Sequence, residues 1–499
     1  MLRLSFTVFF LAAACSRADG GRAARAVDAT AQPPPDASAE ALPDAARATL
    51  NPPDGAEPSD PARPAADAVG GAAGDSLAFD DAARDSPGPP STVSPPHFLV
   101  FGGDVLLHER VKGVAQAHAG GRLADGYAWL LRELAPVRRR LAEQGPVRFV
   151  VNLETPIATR RATEPSRWPR FDGPPEALIG IREAGVDVVT VANNHALNQG
   201  LQGLQETLTA AREAGLLVAG GGDASTARAP LVLSEHDPRV LLLAYRCPAV
   251  PRADPEDAAT LRTAALDERS TAEVRAAAAN ADVVIVSVHW NGELRAEPVP
   301  EWREWVEKLV AAGASAVVGH GPHVVGPVET VEAGGRAAPV VFSLGNLVSN
   351  MGERVFPGFP AESAGDPGSR IATRTEALAV LRVAHAEGAG SAWSIDGLWV
   401  VPLWLEDNFP LAASDPGREI FARPLPWCLP DPAAGCFEGA DDAWCAGRRD
   451  LLVAGRESVL RTLWGETPPP LAPCPAGADP FDPPADWRSP VSLDRLGSK

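Results

Sequence analysis

The chain has 499 residues, and its 64 acidic against 45 basic side chains leave a formal charge of −19. Nucleic acid needs clustered cations on its partner, so this balance argues against it. Hydrophobic residues make up 45%, enough for a sizeable core in one large domain with appendages, or in two or three domains.

Residues 1–14 read as a secretory signal: Arg3, then an apolar run from Leu4 to Ala14 interrupted by Ser5 and Thr7, too short to span a bilayer as a helix. Ala12-Ala13-Ala14-Cys15 resembles a bacterial lipoprotein box, although Leu11 stands four places before Cys15 rather than three. Cys15 is then the acylated first residue of a protein secreted across the inner membrane. The lipid anchors it to the cell envelope, on the periplasmic or outer-surface side. An ordinary cleaved signal is the alternative. Residues 15–97 are rich in Ala, Pro, Asp, Gly and Ser, with Phe79 as the single aromatic. Such a segment buries too little surface to offset its ordering entropy, so it is expected to be a disordered tether.

Order is expected from Phe98. The run Phe98-Leu99-Val100-Phe101 reads as a buried strand ending at Gly102-Gly103-Asp104, with His108 beyond it as either a ligand or, preferably, a surface histidine. A helix is expected around Tyr127 to Leu141. Val147-Arg148-Phe149-Val150-Val151 is a second strand, ending at Asn152-Leu153-Glu154-Thr155-Pro156. Residues 157–172 carry Arg160, Arg161, Arg167 and Arg170, either as a solvated excursion or as an anion-facing flap.

Val186 to Val191 form a third buried-type strand that stops on Asn193-Asn194-His195 and turns into a helix after Gly200, with Gly215 at its end. Val283 to Val288, the most apolar run, ends at His289-Trp290-Asn291-Gly292-Glu293. In the next helix Trp302, Trp305, Val306 and Leu309 share one face and read as core. Ala316-Val317-Val318 leads to Gly319-His320-Gly321-Pro322-His323, and Pro339 to Leu344 leads to Gly345-Asn346.

Strands alternating with helices argue for a βαβ-rich α/β domain, and in such sheets ligands bind at the carboxyl edge. Mixed carboxylate, amide and imidazole groups at that edge suit Mn, Fe or Zn, and two such ions side by side make a phosphoester-hydrolysing site. Imidazoles without thiolates fit a catalytic rather than a structural site. One or two divalent ions are therefore expected.

Taken in order, Gly103-Asp104, Asn152-Leu153-Glu154-Thr155-Pro156, Ala192-Asn193-Asn194-His195-Ala196-Leu197, His289-Trp290 with Glu293, Gly319-His320-Gly321-Pro322-His323-Val324 and Phe342-Ser343-Leu344-Gly345-Asn346 resemble the bacterial CapA family. That family is linked to poly-gamma-glutamate capsule synthesis and belongs to the calcineurin-like metallophosphoesterase superfamily. The resemblance covers residues 98–405. It implies a four-layer α/β/β/α metallophosphoesterase-like sandwich with Asp104, Glu154, Asn194, His289, His320 and His323 as metal ligands. It also implies His195 as the catalytic histidine facing the leaving group or phosphoryl oxygen, and Asn193, Glu293 and Asn346 as residues that orient ligands or substrate. Against the superfamily pattern, Asp104 is followed by Val105-Leu106 instead of an Asp-x-His pair, and two residues separate His320 from His323. Asn291 and Leu347 stand where a glycine and an aromatic are common.

Residues 406–499 read as a C-terminal extension. Its Cys428, Cys436, Cys445 and Cys474 suggest two disulfides with three pairings open, or a four-thiolate zinc site. Cys247 reads as a free core thiol, and Trp404, Trp427 and Trp444 as packing residues for the extension.

The leading expectation is a surface-anchored, metal-dependent phosphoesterase or hydrolase acting in capsule or extracellular polymer biogenesis. Its substrate would be a phosphoester or anionic polymer, with a membrane synthase or export complex as partner. The alternatives are a non-catalytic accessory lipoprotein and a metal-dependent amide hydrolase acting on gamma-linked glutamate.

Overall fold

The computed structural model describes residues 94–159, 170–247, 261–357, 371–385, 392–409, 411–412, 417–465, 468 and 470–481. The signal segment, Cys15, the tether up to residue 93 and Arg160, Arg161 and Arg167 lie outside them.

The β-branched runs form strands as expected. In chain order these are β1 (His97–Val105), β2 (Val147–Leu153), β3 (Val188–Thr190), β4 (Leu217–Ala219), β5 (Gly221–Gly222) and β6 (Leu231–Ser234). Then come β7 (Val240–Arg246), β8 (Arg262–Thr263), β9 (Val283–His289), β10 (Ala316–His320) and β11 (Val328–Ala333). The last are β12 (Arg336–Val341), β13 (Asn346–Val348), β14 (Thr375–His385), β15 (Trp393–Asp407) and β16 (Ile420–Pro424).

One sheet has the order β16-β15-β14-β1-β2-β3-β4, with β13 also paired to β1; the other has the order β11-β12-β10-β9-β7-β6. The pairs β1–β2, β2–β3 and β3–β4 are parallel, as are β7–β9, β9–β10 and β10–β12, while β14 to β16 join antiparallel. Parallel strands covered on both faces need continuous apolar sequence, which is what these runs supply.

Three apolar cores follow from the alternation of side chains across each strand. Phe98, Val100, Phe149 and Val189 pack against Val111, Tyr127, Leu178 and Leu204 from the helices that follow β1, β2 and β3. Leu99, Phe101 and Val150 face Leu242, Ile285 and Val318 of the second sheet. On that sheet's other face, Leu243, Val286 and Val317 meet Val274, Trp302, Val306 and Leu309. Ile285 is fully buried between the sheets, so truncating it to alanine costs about 2–5 kcal/mol.

Several local expectations change. The helix expected over Tyr127 to Leu141 is broken into Leu123–Trp129 and Ala135–Ala142 by a short 3₁₀ turn. Pro136 is the reason: without an N–H it fits a first helical turn and not an interior. The run Pro339 to Asn346 is not one strand. β12 ends at Val341 in one sheet and Asn346 opens β13 in the other, so this segment carries the chain between sheets. Cys247 is disulfide-bonded and no free thiol.

The boundary expected after Leu405 falls inside β15. The following residues remain part of the sheet through β16 and the helix Asp442–Trp464. Buried Glu406 accepts hydrogen bonds from Arg423 Nη1, at 3.1 Å, and from Arg448, while Arg418 Nη2 lies 2.7 Å from Asp407 Oδ2. Cys428 is bonded to Cys474 and Cys436 to Cys445, which selects one of the three open pairings and removes the thiolate zinc site. Trp404 is buried against Arg374, Trp427 packs on the first core and the Trp444 ring meets Phe437. Among the described residues no helix is long and apolar enough to cross a membrane.

Candidate metal centre

The two sheets bring their carboxyl edges together. Asp104 lies in register with Asn152 on β2 and with Asn346 on β13, while His289 and His320 are partners on β9 and β10. Gly103 permits the approach, because a Cβ there would sit 2.1 Å from the Gly345 carbonyl oxygen.

Asp104, Glu154 and His289 each bring a ligand atom to within 4.8 Å of the others, and all three are buried. His289 Nε2 is 3.5 Å from Glu154 Oε1, and His323 Nδ1 is 3.1 Å from Asp104 Oδ2 and 3.8 Å from Glu154 Oε2. His320 Nδ1 stands 3.6 Å from Asp104 Oδ1. The Gly321 N–H donates to Asp104 Oδ2 at 3.1 Å, from a glycine at φ +100°. His323 itself has φ +60°, a left-handed conformation costly for a side chain of this size. It is held there by its Nδ1 contact to Asn346 Oδ1 at 3.0 Å and by the Asn346 amide donating to its carbonyl at 3.4 Å.

The electrostatics divide the two carboxyls. Burial acts to raise Asp104, but the hydrogen bond and charge of His323, with His320 and His289, hold it well below the ordinary carboxylate range. Burial pushes Glu154 well above its ordinary value, aided by the charges of Asp104 and Glu293 and opposed by His323. Among the described residues neither oxygen of Glu154 has a hydrogen-bond partner. Burial lowers His289 to about 3 against the pull of Asp104. His323 is also penalised by burial, yet Glu154 and Asp104 raise it to about 10. Burial likewise lowers His320. An orphaned carboxylate ringed by imidazoles is a donor set that a divalent cation completes.

His195 stands at the rim. Its Nε2 is 3.9 Å from Glu154 Oε1, and its Nδ1 contacts Asn198 Oδ1 at 2.8 Å. The Phe171 N–H donates to the same oxygen at 2.9 Å, so Nδ1 is the donor and Nε2 faces the site with its lone pair. Burial lowers the His195 pKa, partly offset by Asn198. The Phe171 ring lies edge-on to His195 at 4.7 Å and to His108 at 5.0 Å. His108 is half-buried, lowered to about 4 by burial, and its Nδ1 accepts from the Asn350 N–H at 3.2 Å. It is therefore neither a plain surface histidine nor a member of the cluster.

Of the expected ligands, Asp104, Glu154, His289, His320 and His323 converge. Asn194 does not: it is exposed, and among the described contacts it makes none with the cluster. The buried amide of the pair is Asn193, whose Nδ2 donates to Leu153 O at 2.8 Å and whose Oδ1 receives the His195 N–H at 3.2 Å. Asn346 orients His323, whereas Glu293 is exposed and reaches the cluster through its charge on Glu154 and His323. Sequence reasoning missed the hub, Asn152, whose Nδ2 lies 2.7 Å from Asp104 Oδ1 and 3.2 Å from His289 Nδ1. A polar residue inside the apolar run Val150 to Leu153 was the available signal.

Residues 98–351 match the family described as bacterial capsule synthesis protein PGA_cap. The capsule biosynthesis protein CapA of Bacillus anthracis is 29% identical over 182 residues, covering 36% of this chain and 43% of that protein. A probable polyglutamine synthesis accessory protein of Mycobacterium tuberculosis is 28% identical over 213 residues, covering 40% and 55%. The chain thus spans about half the length of the curated relatives it matches. Among solved structures, a sulfate thiohydrolase SoxB from Thermus thermophilus aligns over 62% of this chain and 56% of its own at 14% identity, with a TM-score of 0.33. With the family match running from the start of β1 through β13 and taking in every residue of the cluster, the chain belongs to the bacterial capsule synthesis protein PGA_cap family.

Proposed function

We propose that the chain is a metal-dependent hydrolase of the phosphoesterase type, acting in the biogenesis of a capsule or other poly-gamma-glutamate-like extracellular polymer. The observation that carries this reading is Glu154, fully buried, without a hydrogen-bond donor among the described residues and within 4 Å of nitrogens of His195, His289 and His323. Asp104, Glu154 and His289 would hold the ion, with His320 and His323 beside them. The three cores separated by two sheets support the four-layer α/β/β/α sandwich of the calcineurin-like superfamily. The names of the relatives support the polymer. Attachment to the envelope, and a membrane synthase or export complex as partner, complete the proposal.

A divalent ion held there supplies Lewis-acid charge and activates water against a phosphoester. The chain's own residues do the rest. Asn198 fixes the His195 tautomer so that Nε2 faces the substrate side, where it can hold or pass a proton at the leaving oxygen. Asn346 and the Gly321 N–H orient His323 and Asp104. Exposed Glu293 repels anions at the mouth, so an anionic substrate depends on the ion for its attraction.

A second reading, a non-catalytic accessory protein that retains the site for binding, is favoured by the exposed position of Asn194, which leaves a second ion short of a ligand. Turnover of a generic aryl phosphate by the purified chain, with Mn²⁺ and with chelator, separates the two. Catalysis predicts a chelator-sensitive rate that falls about 10²- to 10⁴-fold in His195→Ala. A rate indifferent to both contradicts it.

A further inference from the structure

We propose that Asn152 is the positioning residue of the metal centre, setting cation affinity by orienting Asp104 where the ends of the two sheets meet. The inference rests on the metal-centre reading above and names a residue outside the ligand set.

Asn152 is 1% exposed, and its amide is used completely. Its Oδ1 accepts from Thr190 Oγ1 and from Asn193 Nδ2, both at 3.2 Å, while its NH₂ group faces Asp104 Oδ1 at 2.7 Å and His289 Nδ1 at 3.2 Å. Thr190 and Asn193 take both lone pairs of the amide oxygen and the NH₂ group offers none, so Asn152 has no atom left to bind an ion.

The orientation is determined by those partners. Rotated by half a turn, the amide would set its NH₂ against that of Asn193 and its oxygen 2.7 Å from a carboxylate oxygen. Aspartate at this position would bring the same repulsion, and an apolar residue would strand the Thr190 hydroxyl and the Asp104 oxygen without partners. Thr190 lies in register with Asn152 on β3, and Asp104 on β1. The amide therefore ties the ends of β1, β2 and β3 together, beside the ring of His289 at the end of β9. Together with the Gly321 N–H on Oδ2, it gives each oxygen of Asp104 its own donor, one from each sheet. Groups that orient ligands in this way govern affinity without touching the ion.

A core amide with no such role would change folding stability alone. The test is Mn²⁺ titration calorimetry on the full chain, on Asn152→Ala and on Thr190→Val, each paired with a melting curve in chelator. Asn152→Ala is expected to weaken Mn²⁺ binding about 10- to 100-fold. Thr190→Val keeps the amide but removes one of the bonds that orient it, and is expected to weaken binding about two- to tenfold. If Asn152→Ala does not fold, the isosteric Thr190→Val decides. Wild-type affinity in the folded variants, whatever their melting temperatures, overturns the role of Asn152. A wild-type chain that takes up no Mn²⁺ overturns the metal-centre reading, and the proposal with it.

Discussion

His323 Nδ1 lies 3.1 Å from Asp104 Oδ2, a buried imidazole–carboxylate pair that joins the loop after β10 to the end of β1 across the two sheets. With Glu154 beside it, the imidazole is raised to about 10, so at neutral pH His323 carries the positive charge that the two carboxyls require. A cation entering between them displaces that proton.

Metal affinity should therefore rise with pH below the His323 value. Between pH of about 6 and 9, Mn²⁺ binding is expected to release roughly one proton and to tighten steadily. Calorimetry in buffers of different ionisation enthalpy measures both, and an affinity flat across that range contradicts the arrangement.

Glu154 offers a sharper separation of function from stability. A buried carboxylate without a donor costs about 1–3 kcal/mol or more. Glu154→Gln keeps the shape and removes the charge, so the variant in chelator should melt no lower than the parent. Its Mn²⁺ affinity should nonetheless fall by at least the roughly 10- to 100-fold expected for a supporting residue. A variant that loses stability and keeps its affinity would assign Glu154 to the fold.

Glu406 governs the C-terminal region instead. Burial acts to raise its carboxyl, but Arg448 and Arg423 outweigh that and hold it below the ordinary 4.5. A group depressed in the folded chain stabilises above its ordinary pKa and loses that contribution as pH falls through the folded value. Glu406→Gln should cost about 3–5 kcal/mol at pH 7, because it leaves buried guanidinium groups unpaired. It should also flatten the fall of melting temperature below pH 4.5 that the parent shows.

The two disulfides of the C-terminal region close loops of different size, with separations of 46 and 9 residues. In the chain-entropy account the Cys428–Cys474 bond contributes about 4 kcal/mol and the Cys436–Cys445 bond about 2.7 kcal/mol. Paired Cys→Ser variants compared by denaturant unfolding check the order.

The strand ends are legible in the sequence because a buried parallel strand must be apolar until it stops, so a polar residue at that point marks the carboxyl edge. Asp104, Glu154, His289, His320 and His323 are found that way. What sequence does not show is which side of a turn faces inward. Asn193 and Asn194 are chemically identical, and only the tight backbone after Val191 buries the first and exposes the second. Asn152 stands in the motif that closes β2, yet the sequence assigns it no role, because its partners Asp104, Thr190 and Asn193 come from other segments of the chain. Asn346 looks like the end of β12, yet it opens a strand in the other sheet, a non-local pairing that local pattern cannot supply. The same holds for β14, which carries no site residue but pairs directly with the strand of Asp104.

The most direct measurement is the metal content of the purified full chain after incubation with Mn²⁺, Fe²⁺ or Zn²⁺ and gel filtration, beside Asp104→Ala and Glu154→Gln. The account predicts one or two ions per wild-type chain and loss of at least one in each variant. A wild-type chain that retains no ion, or variants that retain as much as the parent, would contradict it.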